Sequence, residues 1–209
     1  MKRIKAMTAM ALCSMVTFST LSSHAAEEPL MDPRFCQTCH GVDGIGNEGI
    51  QAPRIAGMEP WYLKRQLHSF KDGLRGTHPQ DIEGMEMQPM AAILSDAEID
   101  EVTRWVGSWP YVPAEPTLQG DADRGRTLFT PCASCHGNQA QGNEALNAPA
   151  LQGQNDWYLL TQLKNFKAGY RGAEAGDRFG AQMRGMAQML ADEQAMIDVI
   201  SYINTLGKK

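Results

Sequence analysis

Two cysteines and a histidine form a compact group of reactive side chains within five residues, Cys36-Gln37-Thr38-Cys39-His40. The thiols stand three residues apart, so both reach the same side of one tight turn. That spacing suits thioether bonds to the two vinyl groups of a porphyrin, and the histidine that follows is placed beneath the iron as an axial ligand. A zinc knuckle and a redox-active cysteine pair are the alternatives for a single motif of this kind.

The motif occurs twice, because Cys132-Ala133-Ser134-Cys135-His136 repeats both thiols and the histidine. A second copy favours heme attachment over zinc binding or thiol redox chemistry, so we predict two covalent heme c groups. The predicted attachment and iron-binding residues are Cys36, Cys39 and His40, and Cys132, Cys135 and His136.

The repeat extends beyond the motifs. A constant spacing of 96 residues also pairs Pro53 with Pro149, and no gap is needed between Cys36 and Leu94. This pattern indicates a tandem duplication in which each unit folds around its own heme. We place the first unit at 26–107, a proline-rich linker at 108–118 and the second unit at 119–209. Three prolines within seven residues make the linker semi-rigid, which predicts a fixed relation between the hemes.

The amino terminus has the features of an export signal. Basic residues precede an apolar run from Ala6 to Phe18 that is too short to span a bilayer, and small residues follow up to Ala25. We therefore predict a cleaved signal peptide at 1–25 and a periplasmic location. Its removal takes Cys13 with it, so every remaining cysteine lies in one of the two motifs.

Both units are predicted to be helical. Apolar residues recur at helical spacing and stop at Gly73 and Gly169, and a later helix in the first unit has Ser95 and Glu98 in capping-box positions. The corresponding cap in the second unit is Asp192. No segment has a convincing strand pattern, so the predicted fold is all-α, with two tandem units that each wrap around one heme.

The sixth iron ligand separates an electron carrier from a catalyst. His68 and His78 are the histidines outside the motifs in the exported chain, and neither recurs in the second unit, which excludes bis-histidine ligation in both units. His78 stays an alternative ligand for the first heme alone. Thioether sulfur binds heme iron well and favours its reduced state. Two recurring methionine pairs remain candidates from the repeat alone: Met87 with Met183, and Met90 with Met186.

The order of the repeated motifs resembles that of the diheme cytochrome c4 family, which consists of tandem class I c-type cytochromes. Twice over, the chain has Cys-x-x-Cys-His-Gly, Ala-Pro-x-(Ile/Leu)-x-Gly, Trp-Tyr-Leu-x-x-Gln-Leu-x-x-Phe-Lys-x-Gly and Met-x-x-Met-Ala-x-x-Leu. The resemblance covers nearly the whole exported chain. Two departures are Pro33, where an opening helix is expected, and Met58 opposite Gln154 of the second unit.

The resemblance also implies roles for single residues. It makes Met87 and Met183 the iron ligands, with Met90 and Met186 as core neighbours. It further implies that the backbone carbonyls of two prolines accept the outer imidazole protons of the iron-binding histidines. These prolines are Pro53, for His40, and Pro149, for His136.

Two arginines that recur in the repeat, Arg75 and Arg171, are candidates for contact with heme propionates. The alternative is that each is an ordinary solvated charge. The residues themselves do not decide between these interpretations.

Iron held by histidine and methionine has no open position for a substrate, so the expected function is transfer of single electrons. We predict a periplasmic diheme carrier between a respiratory complex or dehydrogenase and a terminal oxidase or reductase. The alternative is a tightly bound electron-accepting subunit of a periplasmic dehydrogenase. A diheme peroxidase or thiosulfate-oxidising enzyme is a third interpretation, but it needs a vacant or displaceable ligand.

Charge is unevenly distributed in a chain whose net charge is −5. Residues 26–112 contain 7 Lys and Arg against 14 Asp and Glu, whereas residues 113–209 contain 9 against 10. No basic stripe predicts nucleic-acid binding. We expect redox protein partners, including transient docking to membrane complexes. In this interpretation the acidic first unit faces a basic partner surface, and the second unit docks by apolar contact around its heme edge.

Overall fold

The structure is a computed structural model, described here for residues 32–206, so the proposed signal peptide lies outside the described residues. Within this range the chain forms no strand, only the isolated bridges Asn47–Ala52 and Asn143–Ala148, which confirms the all-α prediction. Its α-helices are α1 Gln37–His40, α2 Pro60–Lys71, α3 Ile82–Ala92, α4 Asp96–Gly107, α5 Ala122–His136, α6 Asp156–Ala168, α7 Arg178–Ala187 and α8 Glu193–Thr205. None of the helices within 32–206 is both long and apolar enough to cross a membrane.

The predicted caps open the last helix of each unit. At α4 the Ser95 hydroxyl accepts a hydrogen bond from the Glu98 amide, and the Glu98 carboxylate accepts one from the Ser95 amide at 2.7 Å. At α8 the Asp192 carboxylate accepts from the Ala195 amide at 2.8 Å. These bonds satisfy backbone donors that have no partner within the helix, and both predicted caps are confirmed.

The second unit is organised by the packing of α5 against α8. Any Cβ at Gly125 would collide with the backbone of Asp198, so a glycine is needed where the two helices cross. The rings of Phe129 and Tyr202 also meet, with centroids 5.6 Å apart. The predicted apolar face of α8 is buried: Met196, Val199, Ile200 and Ile203. This packing fixes the end of α5, where the second Cys-x-x-Cys-His motif lies.

The first unit opens differently. Its described part begins with a 3-10 helix, Pro33–Cys36, followed by the four-residue α1. The predicted absence of a long opening helix concerns Pro29 onward, and residues 29–31 lie outside the described range. Helix α2 packs against α3 and α4, and Ile99 and Val106 of α4 are buried in the core.

The segment between the units is held against both of them. The Asp156 carboxylate accepts from the amides of Thr117 and Leu118 at 2.6 and 2.7 Å. From the first unit, the guanidinium group of Arg54 lies 4.9 Å from the centre of the Tyr111 ring. These contacts support the hypothesis of a fixed relation between the two units, while the boundaries 108–118 remain a prediction.

Candidate functional site

The two motif histidines have equivalent surroundings. His40 Nδ1 lies 2.7 Å from the Pro53 carbonyl oxygen, and His136 Nδ1 lies 2.7 Å from that of Pro149. A carbonyl only accepts hydrogen bonds, so each Nδ1 carries the proton and the Nε2 lone pair is left for a metal. Burial lowers the pKa of both imidazoles, although the hydrogen bonds to the carbonyls act in the opposite direction. Both rings are therefore neutral at neutral pH, which is the form that binds iron.

An apolar cavity in the second unit brings the predicted heme-binding groups together. Cys132, Cys135 and His136 line it, and so do Met183 and Met186. Its apolar lining includes Leu159, Leu163, Phe166, Leu190, Val199 and Ile200. The combination of thiols, one imidazole and thioethers in an apolar cavity fits a covalently attached heme. When bound, the heme supplies an iron that takes up and releases one electron.

Both methionines of the second unit line the cavity, so the lining does not choose between them. The choice of Met183 as the ligand follows the family pattern. Met87 occupies the equivalent place on α3 and is half-buried, as Met183 is on α7. Within residues 32–206 no three His, Cys, Asp or Glu side chains form a group that could hold a metal ion.

Arg75 and Arg171 meet at the contact between the units. Arg75 donates to Gln66 of its own unit at 2.8 Å and to Gln162 of the other at 3.1 Å. Arg171 donates to Gln162 at 2.6 Å and to Gln66 at 2.7 Å. Each arginine is only 7% exposed, so the interpretation as solvated charges is wrong. The sequence did not predict that the two would share their partners.

Two buried guanidinium groups lie close together at this contact. Neither arginine forms an ion pair with a described residue, and Nε of Arg75 is buried without a hydrogen-bond partner. Burial alone would raise the pKa of the Tyr158 phenol, but the guanidinium groups of Arg75 and Arg171 more than offset this, and the pKa lies below its ordinary value. Two buried cations, one of them with a spare donor, fit an anionic group such as a heme propionate. Propionate contact remains a proposal.

Arg65 is a site residue that sequence reasoning missed. It belongs to the first unit but lines the cavity of the second, where it donates to the Asn147 carbonyl at 3.0 Å and lies 4.8 Å from the centre of the Phe179 ring. Its repeat equivalent is Thr161, so the duplication gave no signal. By contrast Gln66 and Gln162 do recur at the repeat spacing, and that signal was available.

The two units differ in how many large apolar side chains they expose, which bears on the expectation that the second unit docks by apolar contact. Among the described residues, the second unit exposes the large side chains of Leu146 and Met189. The first unit exposes Phe35, Val42, Ile45, Ile50, Ile82, Met85 and Ile93. Among the described residues the first unit thus exposes more of the large apolar side chains, and the expectation that the second unit docks by apolar contact stays a prediction.

Comparisons with known proteins agree with the geometry. The cytochrome c family model matches residues 29–109 and again 122–207. Cytochrome c4 of Stutzerimonas stutzeri is 32% identical over 173 residues, which cover 76% of this chain and 78% of that protein. The thiosulfate dehydrogenase electron acceptor of S. stutzeri strain A1501 is 31% identical over 188 residues, covering 83% and 80%. The crystal structure of reduced recombinant cytochrome c4 from Pseudomonas stutzeri superposes with a TM-score of 0.65 at 29% identity, covering 83% of this chain and 94% of that one.

Proposed function

Because the chain belongs to the cytochrome c family, as a tandem diheme member of the cytochrome c4 group, we propose that His40 and Met87 bind one iron and His136 and Met183 the other. The protein carries single electrons through two covalent heme c groups. The observation that carries a histidine–methionine pair is the cavity that His136 lines together with Met183 and Met186, and the family pattern supports Met183 as the ligand. Such ligation leaves no position for a substrate, so electron transfer needs little rearrangement.

The proposed location is the periplasm, and the proposed partners are a respiratory complex or dehydrogenase as donor and a terminal oxidase or reductase as acceptor. The signal peptide predicted from the sequence at 1–25 supports this location. In this role the protein shuttles between its partners and binds each of them briefly.

A second candidate is a permanent electron-accepting subunit of a dehydrogenase. The similarity to the thiosulfate dehydrogenase electron acceptor favours it specifically. The two candidates differ in whether the protein is found free or bound. Purification from its natural source at low salt, followed by gel filtration, distinguishes them, because a carrier elutes as a single chain and a subunit elutes with a catalytic chain at constant ratio. We expect the single chain, and we expect it to oxidise no thiosulfate alone.

The charge asymmetry predicts how the two hemes react with small reagents. At low salt the first heme should be reduced faster by a cationic reagent than by an anionic one, because the first unit carries most of the net negative charge. The preference should fade as salt shortens the Debye length to about 10 Å at 0.1 M. Stopped-flow reduction across ionic strength measures this. The second heme is the internal control, and an identical salt response at both hemes would remove the steering role.

A further inference from the structure

The residues that open α2 and α6 do not cap their own helices. Glu59 precedes α2 and Asn155 precedes α6, and neither side chain bonds to an amide of its own first turn. An asparagine at this position ordinarily accepts a hydrogen bond from that turn. Both side chains instead accept hydrogen bonds from amides of the other unit, so they contribute to the contact between the units.

At the second heme the crossing side chain is a carboxylate. Glu59 Oε1 accepts a hydrogen bond from the Ala150 amide at 2.9 Å. That N–H belongs to the same peptide group as the Pro149 carbonyl, which accepts the proton of His136 Nδ1 at 2.7 Å. One peptide group thus links the Glu59 carboxylate of the first unit to the histidine of the second.

At the first heme the side chain from the other unit is a neutral amide. Asn155 Oδ1 accepts from the Arg54 amide at 2.6 Å, and the Pro53 carbonyl of that peptide group accepts from His40 Nδ1 at 2.7 Å. Asn155 is the repeat equivalent of Glu59. Both units therefore form the same connection, with a carboxylate at the second heme and a side-chain amide at the first.

Two loop glycines leave room for these connections. A Cβ at Gly142 would lie 2.5 Å from the Ala150 nitrogen. A Cβ at Gly46 would lie 2.7 Å from both the Arg54 nitrogen and Asn155 Oδ1. Their φ angles of +82° and +95° are also ones that side chains rarely adopt. The repeated glycines are thus required where the peptide groups are held.

We propose that Glu59 is a positioning residue that lowers the reduction potential of the second heme through the Pro149–Ala150 peptide group. Hydrogen bonds in a chain polarise one another, so a carboxylate on the amide makes the carbonyl at the other end more negative. A stronger acceptor at Nδ1 makes the iron-binding imidazole more basic, and a more basic ligand favours ferric iron. Asn155 holds the first heme's peptide group without this charge.

The two connections differ in charge at their far ends. The acceptor on the Ala150 amide is the carboxylate of Glu59, whereas the acceptor on the Arg54 amide is the neutral side-chain amide of Asn155. The inference rests on the proposed iron ligands.

The test is Glu59→Gln, which keeps an acceptor oxygen and removes the charge. We expect the equilibrium constant for reduction of the second heme to rise about fivefold. A tenfold change corresponds to about 59 mV for one electron, so its reduction potential should rise by about 40 mV. The first heme should not move. Asn155→Asp is the reciprocal variant and should lower the potential of the first heme alone. Glu144→Gln removes an exposed charge from the second unit and should shift the second heme by less than twofold.

Proton NMR during a redox titration of the full-length protein follows the heme methyl signals of each heme separately. Signals that change in Met183→Ala identify the second heme. An unchanged second heme in Glu59→Gln, or equal shifts of both hemes, would overturn the proposal. Failure of the ligand proposal appears separately, as missing ring-current-shifted methionine methyl signals in the reduced wild type.

Discussion

Replacing Met183 by alanine should open the second heme to carbon monoxide and lower its reduction potential. The thioether stabilises ferrous iron, so its loss shifts the equilibrium toward the ferric state. It also removes the group that blocks the sixth position. Mixing the reduced variant with carbon monoxide should give one rapidly formed adduct per chain, whereas the wild type should form none. Absorption spectroscopy measures both the adduct and the changed potential.

Met186→Ala is the matched control, because Met186 lines the same cavity three residues later. We expect this variant to loosen the packing around a half-buried methionine, at a cost of about 2 kcal/mol, the low end of the range for buried methionines, while the iron keeps both ligands. If Met186→Ala bound carbon monoxide and Met183→Ala did not, the family pattern would have been placed in the wrong register.

The double replacement of Cys132 and Cys135 by serine should leave the second unit weakly structured. Without the attached heme, the cavity between α6, α7 and α8 becomes a large apolar void, and a unit of this size has little other core. We expect protection from hydrogen exchange in α6 and α8 to fall by about 5 kcal/mol or more, on the scale of a small domain's whole stability. The first unit should keep its protection in α2 and α4.

Ser134→Ala changes the same motif without removing a thiol, and it should keep both the heme and the protection. This control separates loss of heme from a local effect of substitution in α5. A well-protected second unit in the heme-free variant would mean that its core does not depend on the cofactor.

The features that the sequence predicts here are those set by short-range chemistry or by the repeat. The heme motifs depend on residues within one turn, and the Ser95–Glu98 capping box depends on a spacing of three residues. Comparison of the two units position by position then showed that His68 and His78 do not recur. It also restricted the candidate methionine ligands to two pairs. The hydrogen bonds of His40 and His136 to proline carbonyls have the geometry that the family resemblance implied.

Contacts between the units were not predictable, because they join residues roughly a hundred positions apart. Arg75 looks like a surface charge in sequence, and only its place opposite Gln162 explains its burial. Glu59 and Asn155 occupy equivalent positions of the repeat but differ in residue type. Their shared role therefore shows only in the structure, where each side chain bonds to an amide of the other unit. The exposed apolar residues of the first unit escaped prediction for a related reason, since helical periodicity does not show which faces remain uncovered.

A redox titration of the wild-type protein, performed once under argon and once under carbon monoxide, tests the central claim most directly. Two hemes that each keep histidine and methionine should take up one electron each, and their potentials should be the same under both gases. Carbon monoxide binds ferrous iron, so a vacant or displaceable ligand would raise the potential of that heme under carbon monoxide. An upward shift of either potential would contradict the electron-carrier account and favour a catalytic heme.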